Sequence, residues 1–168
     1  MLPTSTPRLR FREMTQQDLD EMAALLSDPE VMRHYPAPKS RQEAKDWIAW
    51  NERNYAEHGF GLWIIELTDG TFVGDCGLTI QKVAGEGLVE VGYHVSTAWQ
   101  GRGLATEAAG AVRDTARDAG IPHLVAIIRP DNRPSQRVAQ KIGLRLERQI
   151  VKSGAEALIF GADLSAVP

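Results

Sequence analysis

Short stretches in which apolar residues alternate with polar ones, or run without interruption, predict β-strands along much of the chain. These stretches are Leu9–Arg12, Leu62–Leu67, Phe72–Ile80, Leu88–Val95, Leu124–Ile128, Leu146–Lys152 and Ala157–Leu164. A turn at Asp69 and Gly70 joins the second stretch to the third, and Ser153 with Gly154 joins the last two. Turns this short predict hairpins of antiparallel strands.

Elsewhere the apolar residues recur every three or four positions, which predicts amphipathic helices. The first helix follows Thr15, and the second follows Ser40, whose spacing from Glu43 is that of a capping box. Two further helices are expected over about residues 104–119 and 132–143. The resulting order is strand, helix, helix, three strands, helix, strand, helix and two strands. It predicts an α/β sandwich of the α+β class, in which helices flank a mostly antiparallel sheet.

Composition narrows the class of protein without identifying it. The 168 residues are 43% hydrophobic and 24% charged, which is typical of a soluble globular protein and fits a single domain over residues 1–168. The formal net charge of −3 gives no basic excess, so we expect no nucleic-acid partner. The N-terminal residues lack a signal pattern and no apolar run approaches the length of a membrane span. We therefore expect a cytoplasmic protein with no membrane partner.

The cysteine and histidine residues predict neither a disulfide nor a metal site. Cys76 is the only cysteine and lies within a predicted strand, where a small buried side chain is the simplest interpretation. The four histidines do not show the spacing of metal ligands. We expect no metal ion.

A glycine-containing segment between a predicted strand and a predicted helix is the strongest indication of a ligand. The amides of a first helical turn lack intrahelical partners and the helix dipole is positive there, so such a junction favours an anion. The residues that we expect to bind it are Gln100, Gly101, Arg102, Gly103, Leu104, Ala105 and Thr106. The chain contains no Gly-x-x-x-x-Gly-Lys-Ser/Thr run, and Thr106 stands where a dinucleotide fingerprint needs a third glycine or alanine. Glycines at a strand–helix turn can also be purely structural.

A second motif lies one predicted strand further on. Asn132, Ser135, Val138 and Gly143 are spaced as Asn-x-x-Ser-x-x-hydrophobic-x-x-x-x-Gly. Pro134 suits the first turn of a helix and Asn132 suits its N-cap. A capped surface helix would explain those residues, but it does not explain why the helix follows the glycine segment.

Together the two motifs resemble the GNAT superfamily of acyl-CoA-dependent N-acetyltransferases. Gln100, Gly103 and Ala105 are similar to that family's Gln/Arg-x-x-Gly-x-Gly/Ala pyrophosphate loop, and the Asn132 motif is similar to its second signature. The segments 6–12, 28–32 and 57–63 resemble the branch that includes the ribosomal-protein N-terminal acetyltransferases. The resemblance implies the GNAT fold, acetyl-CoA as co-substrate, and direct transfer of an acetyl group to a primary amine in a ternary complex.

The resemblance also implies roles for particular residues. The backbone of His94, Val95 and Ser96 would hold the pantetheine arm, and Asn132 and Ser135 would contribute to the cofactor site. Glu90 stands where several relatives carry a catalytic glutamate, so it is the expected general base. Strand alternation puts Glu90 and His94 on one face, which makes His94 the alternative base.

The expected general acid departs from the common pattern. Many relatives use a tyrosine at the position that Ala139 occupies here, so Ser135 or a water molecule would have to protonate the departing thiolate. Ser135 could equally bond only to backbone or cofactor.

Three questions stay open at the level of sequence. The acceptor amine could be a protein N-terminus or a small molecule, with Tyr35, Trp47 and Phe60 as candidates to line its cleft. The chain could also be a non-catalytic acyl-CoA-binding module, or a regulatory protein that binds ATP at the glycine segment. It could be a monomer or a homodimer.

Overall fold

The structure is a computed structural model that describes residues 1–165. Within this range the strands are β1 (Leu9–Glu13), β2 (Leu62–Leu67), β3 (Phe72–Val83), β4 (Glu86–Val95), β5 (His123–Ile128), β6 (Arg145–Lys152) and β7 (Ala155–Asp163). The helices are α1 (Leu19–Ser27), α2 (Arg41–His58), α3 (Leu104–Asp118) and α4 (Arg133–Lys141). This order confirms the predicted arrangement.

The strands form one sheet in the order β1-β2-β3-β4-β5-β7-β6. Among the described residues, neighbouring strands pair antiparallel except β4 and β5, which run parallel. This pair, near the middle of the sheet, is parallel because α3 carries the chain back between the two strands. The predicted mixed, mostly antiparallel sheet is confirmed.

Helices cover the two faces of the sheet and bury separate apolar clusters. On one face α3 buries Leu104, Ala108 and Val112 against the sheet, together with Val91 and Val95 of β4. On the other face α1 and α2 pack against the alternate residues of the first strands. That cluster contains Met22, Leu25, Leu26, Ala44, Ile48, Leu62 and Ile64. Successive residues of β4 therefore face different helical layers.

The helix starts follow the capping residues that the sequence indicates, with one difference. Ser40 accepts from the Glu43 amide and Glu43 from the Ser40 amide, which completes the predicted capping box. Thr15 caps a short 3₁₀ turn, Gln16–Asp18, that leads into α1 instead of capping α1 itself. Asp18, the last residue of that turn, forms an ion pair with Arg12 of β1, in which Asp18 Oδ1 lies 2.7 Å from Arg12 Nη2.

Cys76 is fully buried in the sheet, as expected, and burial raises the pKa of its thiol. No helix within residues 1–165 has the length and apolar character needed to cross a membrane.

Candidate active site

Strands β4 and β5 separate beyond Glu90. Within residues 1–165 their register consists of one pair, Glu90 opposite Val125. The next amide of β5 that faces β4 belongs to Ile127, and it donates to Glu90 Oε2 at 2.9 Å instead of to β4 backbone. The Glu90 side chain thus takes the place of one backbone hydrogen bond between β4 and β5. The gap that opens between these two strands beyond Glu90 is called the wedge below.

The backbone of β4 directs the amide and the carbonyl of Val95 towards this wedge. The Ser96 amide donates to the Val73 carbonyl on β3 at 2.9 Å. Because consecutive amides of a strand point to opposite sides, the Val95 amide points away from β3 and into the wedge. The Val95 carbonyl accepts from Gln100 Nε2 at 2.9 Å, which ties the glycine segment to the end of β4.

A cleft of about 940 Å³ runs through the wedge. It is lined by most of the residues that the sequence predicts for the site: Glu90, His94, Val95, Gln100, Gly101, Gly103, Leu104, Ala105, Thr106, Asn132 and Ser135. Two predicted cofactor residues lie elsewhere among the described residues. Ser96 uses its amide in the sheet, and the Arg102 guanidinium lies over the Trp99 ring, 4.8 Å from its centroid.

The glycine segment leaves the start of α3 open. Gly101 and Gly103 have φ values of 74° and 78°, in the left-handed region that disfavours side chains. Gly103 is the N-cap of α3 and has no side chain to cap it, so the first-turn amides of this 15-residue helix face the cleft uncapped. An anion of the size of a diphosphate fits this place by charge and by the donors it meets.

Arg8 fixes the glycine segment from outside. Arg8 Nη1 donates to the Arg102 carbonyl at 2.9 Å, and Arg8 Nε donates to Glu107 at 2.8 Å. Thr6 Oγ1 also donates to Glu107, at 2.6 Å. The carboxylate in the first turn of α3 is therefore neutralised by the N-terminal segment and does not compete for the open amides.

The carboxyl of Glu90 has a pKa that is raised towards neutrality. Burial raises the pKa of its carboxyl to about 7, although the Ile127 hydrogen bond and the positive charges of Lys152 and His94 act in the opposite direction. A carboxylate with a pKa near neutrality accepts a proton readily and releases it again.

His94 is held between Asp75 and Tyr35. Its Nδ1 lies 2.7 Å from Asp75 Oδ1, and its Nε2 lies 2.5 Å from the Tyr35 hydroxyl. Asp75 is wholly buried on β3, directly opposite His94 on β4. Both ring nitrogens of His94 are occupied, which makes Glu90 the better placed of the two candidate bases.

Tyr93 places a second hydroxyl beside Ser135. The Tyr93 hydroxyl lies 2.9 Å from both the carbonyl oxygen and Oγ of Ser135 at the start of α4. The Ser135 amide is held by Asn132 Oδ1 at 3.2 Å. Ala139, where many relatives have a tyrosine, is fully buried in the core. A tyrosine hydroxyl therefore reaches this region from β4 instead of from α4.

The family of the chain follows from comparison with known proteins. Residues 8–145 match the family model described as the acetyltransferase (GNAT) domain. The chain belongs to the GNAT acetyltransferase family. The match covers the glycine segment, the wedge and the Asn132 motif, so the resemblance of the two motifs is confirmed.

The similarity to known proteins extends over most of this GNAT acetyltransferase. The chain is 36% identical to the uncharacterized protein YkkB of Bacillus subtilis over 150 aligned residues, which are 88% of this chain and 87% of YkkB. An acetyltransferase structure from Agrobacterium tumefaciens superposes with a TM-score of 0.85 at 27% identity, covering 96% of this chain and 94% of that one. RimL, a ribosomal alpha-N-protein acetyltransferase solved with coenzyme A, shares the fold with a TM-score of 0.83 at 16% identity, covering 99% of this chain and 100% of that one.

Aromatic side chains line the cleft around His94. Trp47 and Trp50 of α2 and Tyr35 from the α1–α2 loop lie in its wall. The Trp47 ring lies 5.7 Å from the His94 ring, edge-on, and 5.5 Å from that of Trp50. Phe60, proposed from the sequence for the same wall, is instead in the core, two residues before β2 begins, and stacks on His58.

Sequence reasoning missed two residues of this site. Tyr93 and Asp75 each meet a predicted residue through a contact that depends on sheet register or on where a helix begins. Tyr35, a candidate from the sequence, does line the cleft, but its contact with His94 was not predicted. The alternation of β4 could have put Tyr93 on the face opposite Glu90, but nothing in the sequence indicates that α4 begins beside it. Within residues 1–165 no group of three or more acidic, histidine or cysteine side chains is arranged to hold a metal ion.

Proposed function

We propose that this protein is an acetyl-CoA-dependent N-acetyltransferase that transfers an acetyl group to a primary amine by direct attack in a ternary complex. The observation that supports it most is that one cleft joins the open start of α3 to the Glu90 carboxylate. An anion site and a proton acceptor at two ends of a continuous groove suit a substrate with a diphosphate at one end and a reacting group at the other.

The residues present fit acetyl-CoA. The open amides of residues 104–106 would hold its diphosphate, and the unpaired backbone of β4 would hold its pantetheine arm. Arg129, Arg137 and Lys141 also line the cleft and supply positive charge for phosphate. Acetyl-CoA supplies the activated acyl group. The Val95 amide points into the wedge, where it can donate to the thioester carbonyl oxygen as negative charge develops there.

Proton transfer is assigned to the Glu90 carboxyl on one side of β4 and, on the other side, to the hydroxyl pair of Tyr93 on β4 and Ser135 on α4. Glu90 takes a proton from the acceptor ammonium, which leaves a nitrogen lone pair free to attack the acyl carbon. The carbon–sulfur bond then breaks, and the hydroxyl pair of Tyr93 and Ser135 supplies a proton to the thiolate. The second proton that the nitrogen loses as the amide forms replaces the one that the hydroxyl pair gave up. Burial raises the pKa of Tyr93, so its hydroxyl stays protonated and can donate.

The pH profile should report the Glu90 carboxyl. We expect kcat/KM to rise with pH through a midpoint near 7, because the base must be unprotonated to accept a proton. In Glu90→Gln that rise should disappear, leaving only the slope due to the amine itself. Initial rates across pH with one amine test this, and an identical profile in both proteins would exclude Glu90 as the titrating group.

The hydroxyl pair should affect turnover more than binding. We expect Ser135→Ala and Tyr93→Phe each to lower kcat roughly 10-fold to 100-fold, with little change in KM for acetyl-CoA, because the donated proton matters only as the thiolate leaves. The double variant should be little worse than either single one, since the two hydroxyls act as a unit. If KM rises in Ser135→Ala while kcat is unchanged, Ser135 only holds the cofactor.

Ligand-induced stabilisation tests the cofactor assignment. CoA or acetyl-CoA should raise the Tm of the full chain, because a ligand that binds only the folded state stabilises it by mass action. ATP, which lacks the pantetheine arm that the β4 backbone would hold, should raise it less. Absence of any shift with millimolar CoA, or a larger shift with ATP, would contradict the proposal.

A further inference from the structure

Asp75 and His94 form a buried pair that stability does not explain. Asp75 is wholly buried and His94 is 6% exposed, and they lie directly opposite each other on β3 and β4. Burying two ionisable groups carries a desolvation penalty that often exceeds their attraction, so apolar residues would serve the core equally well. Asp75 Oδ2 has no hydrogen-bond partner within the described residues, which adds to that penalty. We infer that the role of the pair is to hold the Tyr35 hydroxyl, which lies against His94 Nε2.

The pair sets the direction of the hydrogen bond to Tyr35. Burial alone would lower the pKa of His94, but the adjacent Asp75 carboxylate raises it, and Glu90 adds to that effect against the smaller opposing charge of Lys39. In the protonated ring both nitrogens donate, Nδ1 to Asp75 and Nε2 to the Tyr35 oxygen, and the wholly buried carboxylate 2.7 Å from Nδ1 stabilises that form. The Tyr35 oxygen is then an acceptor from His94, and its own proton is directed to a second partner.

The proton of the Tyr35 hydroxyl is available to a molecule bound in the part of the cleft that would take the acceptor amine. Tyr35 and His94 both line the cleft, and their rings lie 5.3 Å apart. Burial of the hydroxyl against His94 raises the pKa of Tyr35, and the negative charges of Glu90 and Asp75 raise it further. Tyr35 thus stays protonated, and because it lines the same cleft as Glu90 its hydroxyl can donate to a molecule bound there.

The same end of the cleft suits an apolar substituent. Trp47 and Trp50 line it as half-buried residues. The Tyr35 ring, like that of Trp47, packs against the His94 ring, while Tyr35 as a whole residue is 42% exposed. Aromatic walls of this kind favour apolar or aromatic groups over heavily hydroxylated ones, because the latter would lose hydration without gaining enough partners.

We propose, resting on the proposed function, that Tyr35 is a specificity-determining residue whose hydroxyl donates a hydrogen bond to an oxygen adjacent to the reacting nitrogen. The preferred acceptors are then amines that carry a neighbouring carbonyl group and an apolar side chain. Asp75 and His94 are positioning residues that hold the hydroxyl in this orientation.

Two amines that share a benzyl group test this inference: phenylalaninamide, which has the adjacent carbonyl, and phenethylamine, which lacks it. A carbonyl also makes the amine less basic, so the informative quantity is the ratio of the two kcat/KM values in wild type against that in Tyr35→Phe. We expect the ratio to fall about 10-fold or more in Tyr35→Phe, the effect of removing one hydrogen bond in a partly desolvated site. His94→Gln should lower the ratio as well, and His58→Gln, at the end of α2 and outside the cleft, should leave it unchanged.

The possible failures can be told apart. An unchanged ratio in Tyr35→Phe, even with both rates reduced, would show that Tyr35 acts only structurally and would overturn the inference. Failure to acetylate either amine by a chain that binds CoA would overturn it too. A chain that does not bind CoA at all would contradict the proposed function itself.

Discussion

Replacing Glu90 with glutamine is expected to lower kcat by about 100-fold or more at neutral pH while leaving CoA affinity nearly unchanged. Glutamine can still accept the Ile127 amide hydrogen bond that holds the strands apart, so the wedge is retained. What it removes is a carboxylate whose pKa is raised by burial to about 7. The measurement is steady-state kinetics on an accepted amine, together with calorimetric titration of CoA.

The Glu90 prediction includes a rescue and a control. Raising the pH should recover part of the lost rate, because more of the amine is then already neutral. Glu86→Gln, at the exposed start of the same strand, should behave as wild type. An unchanged rate in Glu90→Gln would transfer the role of base to His94 or to water.

Replacing Gly103 with glutamate is expected to abolish CoA binding. The backbone at Gly103 has a φ of 78°, so any side chain there is strained, and its Cβ would lie 3.5 Å from Arg8 Nη2, the side chain that fixes the glycine segment. A carboxylate at the N-cap also adds negative charge next to the open amides where the diphosphate is expected. The measurement is the CoA-induced rise in Tm, which should vanish in this variant.

Gly120→Glu is the matched control for backbone strain. Gly120 follows α3 at its other end with a φ of 80°, and a Cβ there would meet no described atom within 4 Å. Gly120→Glu should lower the Tm to a similar extent but keep the CoA-induced rise. If Gly103→Glu keeps the rise as well, the diphosphate does not bind at the start of α3.

Much of the fold could be predicted because each element carries its own local signal. The capping box at Ser40, the glycines around α3 and the alternation of β4 act within a few residues of the chain. They placed the open helix start and put Glu90 and His94 on one face. Which helices and strands meet at the site was predicted from the family resemblance more than from these local patterns.

What the sequence could not predict are the contacts made across register and loops. The Glu90 carboxylate replaces a backbone rung only because β5 stops following β4 at that point, and periodicity carries no such information. The pairing of Asp75 with His94 depends on the exact β3–β4 register, in which a shift of one residue would turn Asp75 to the other face. Phe60 was predicted to line the cleft but lies in the core, because an aromatic residue before a strand can face either and the sequence does not distinguish the two.

Amine-dependent release of free CoA thiol from acetyl-CoA, with mass spectrometry of the amine, tests the central claim most directly. A panel of phenylalaninamide, a peptide with a free N-terminus, a polyamine and an aminoglycoside should include at least one amine that gains an acetyl group in step with thiol release, and Glu90→Gln should slow that reaction. A wild-type chain that binds CoA but acetylates none of these amines, with thiol release no faster than in buffer, would contradict the account and favour a non-catalytic acyl-CoA-binding module.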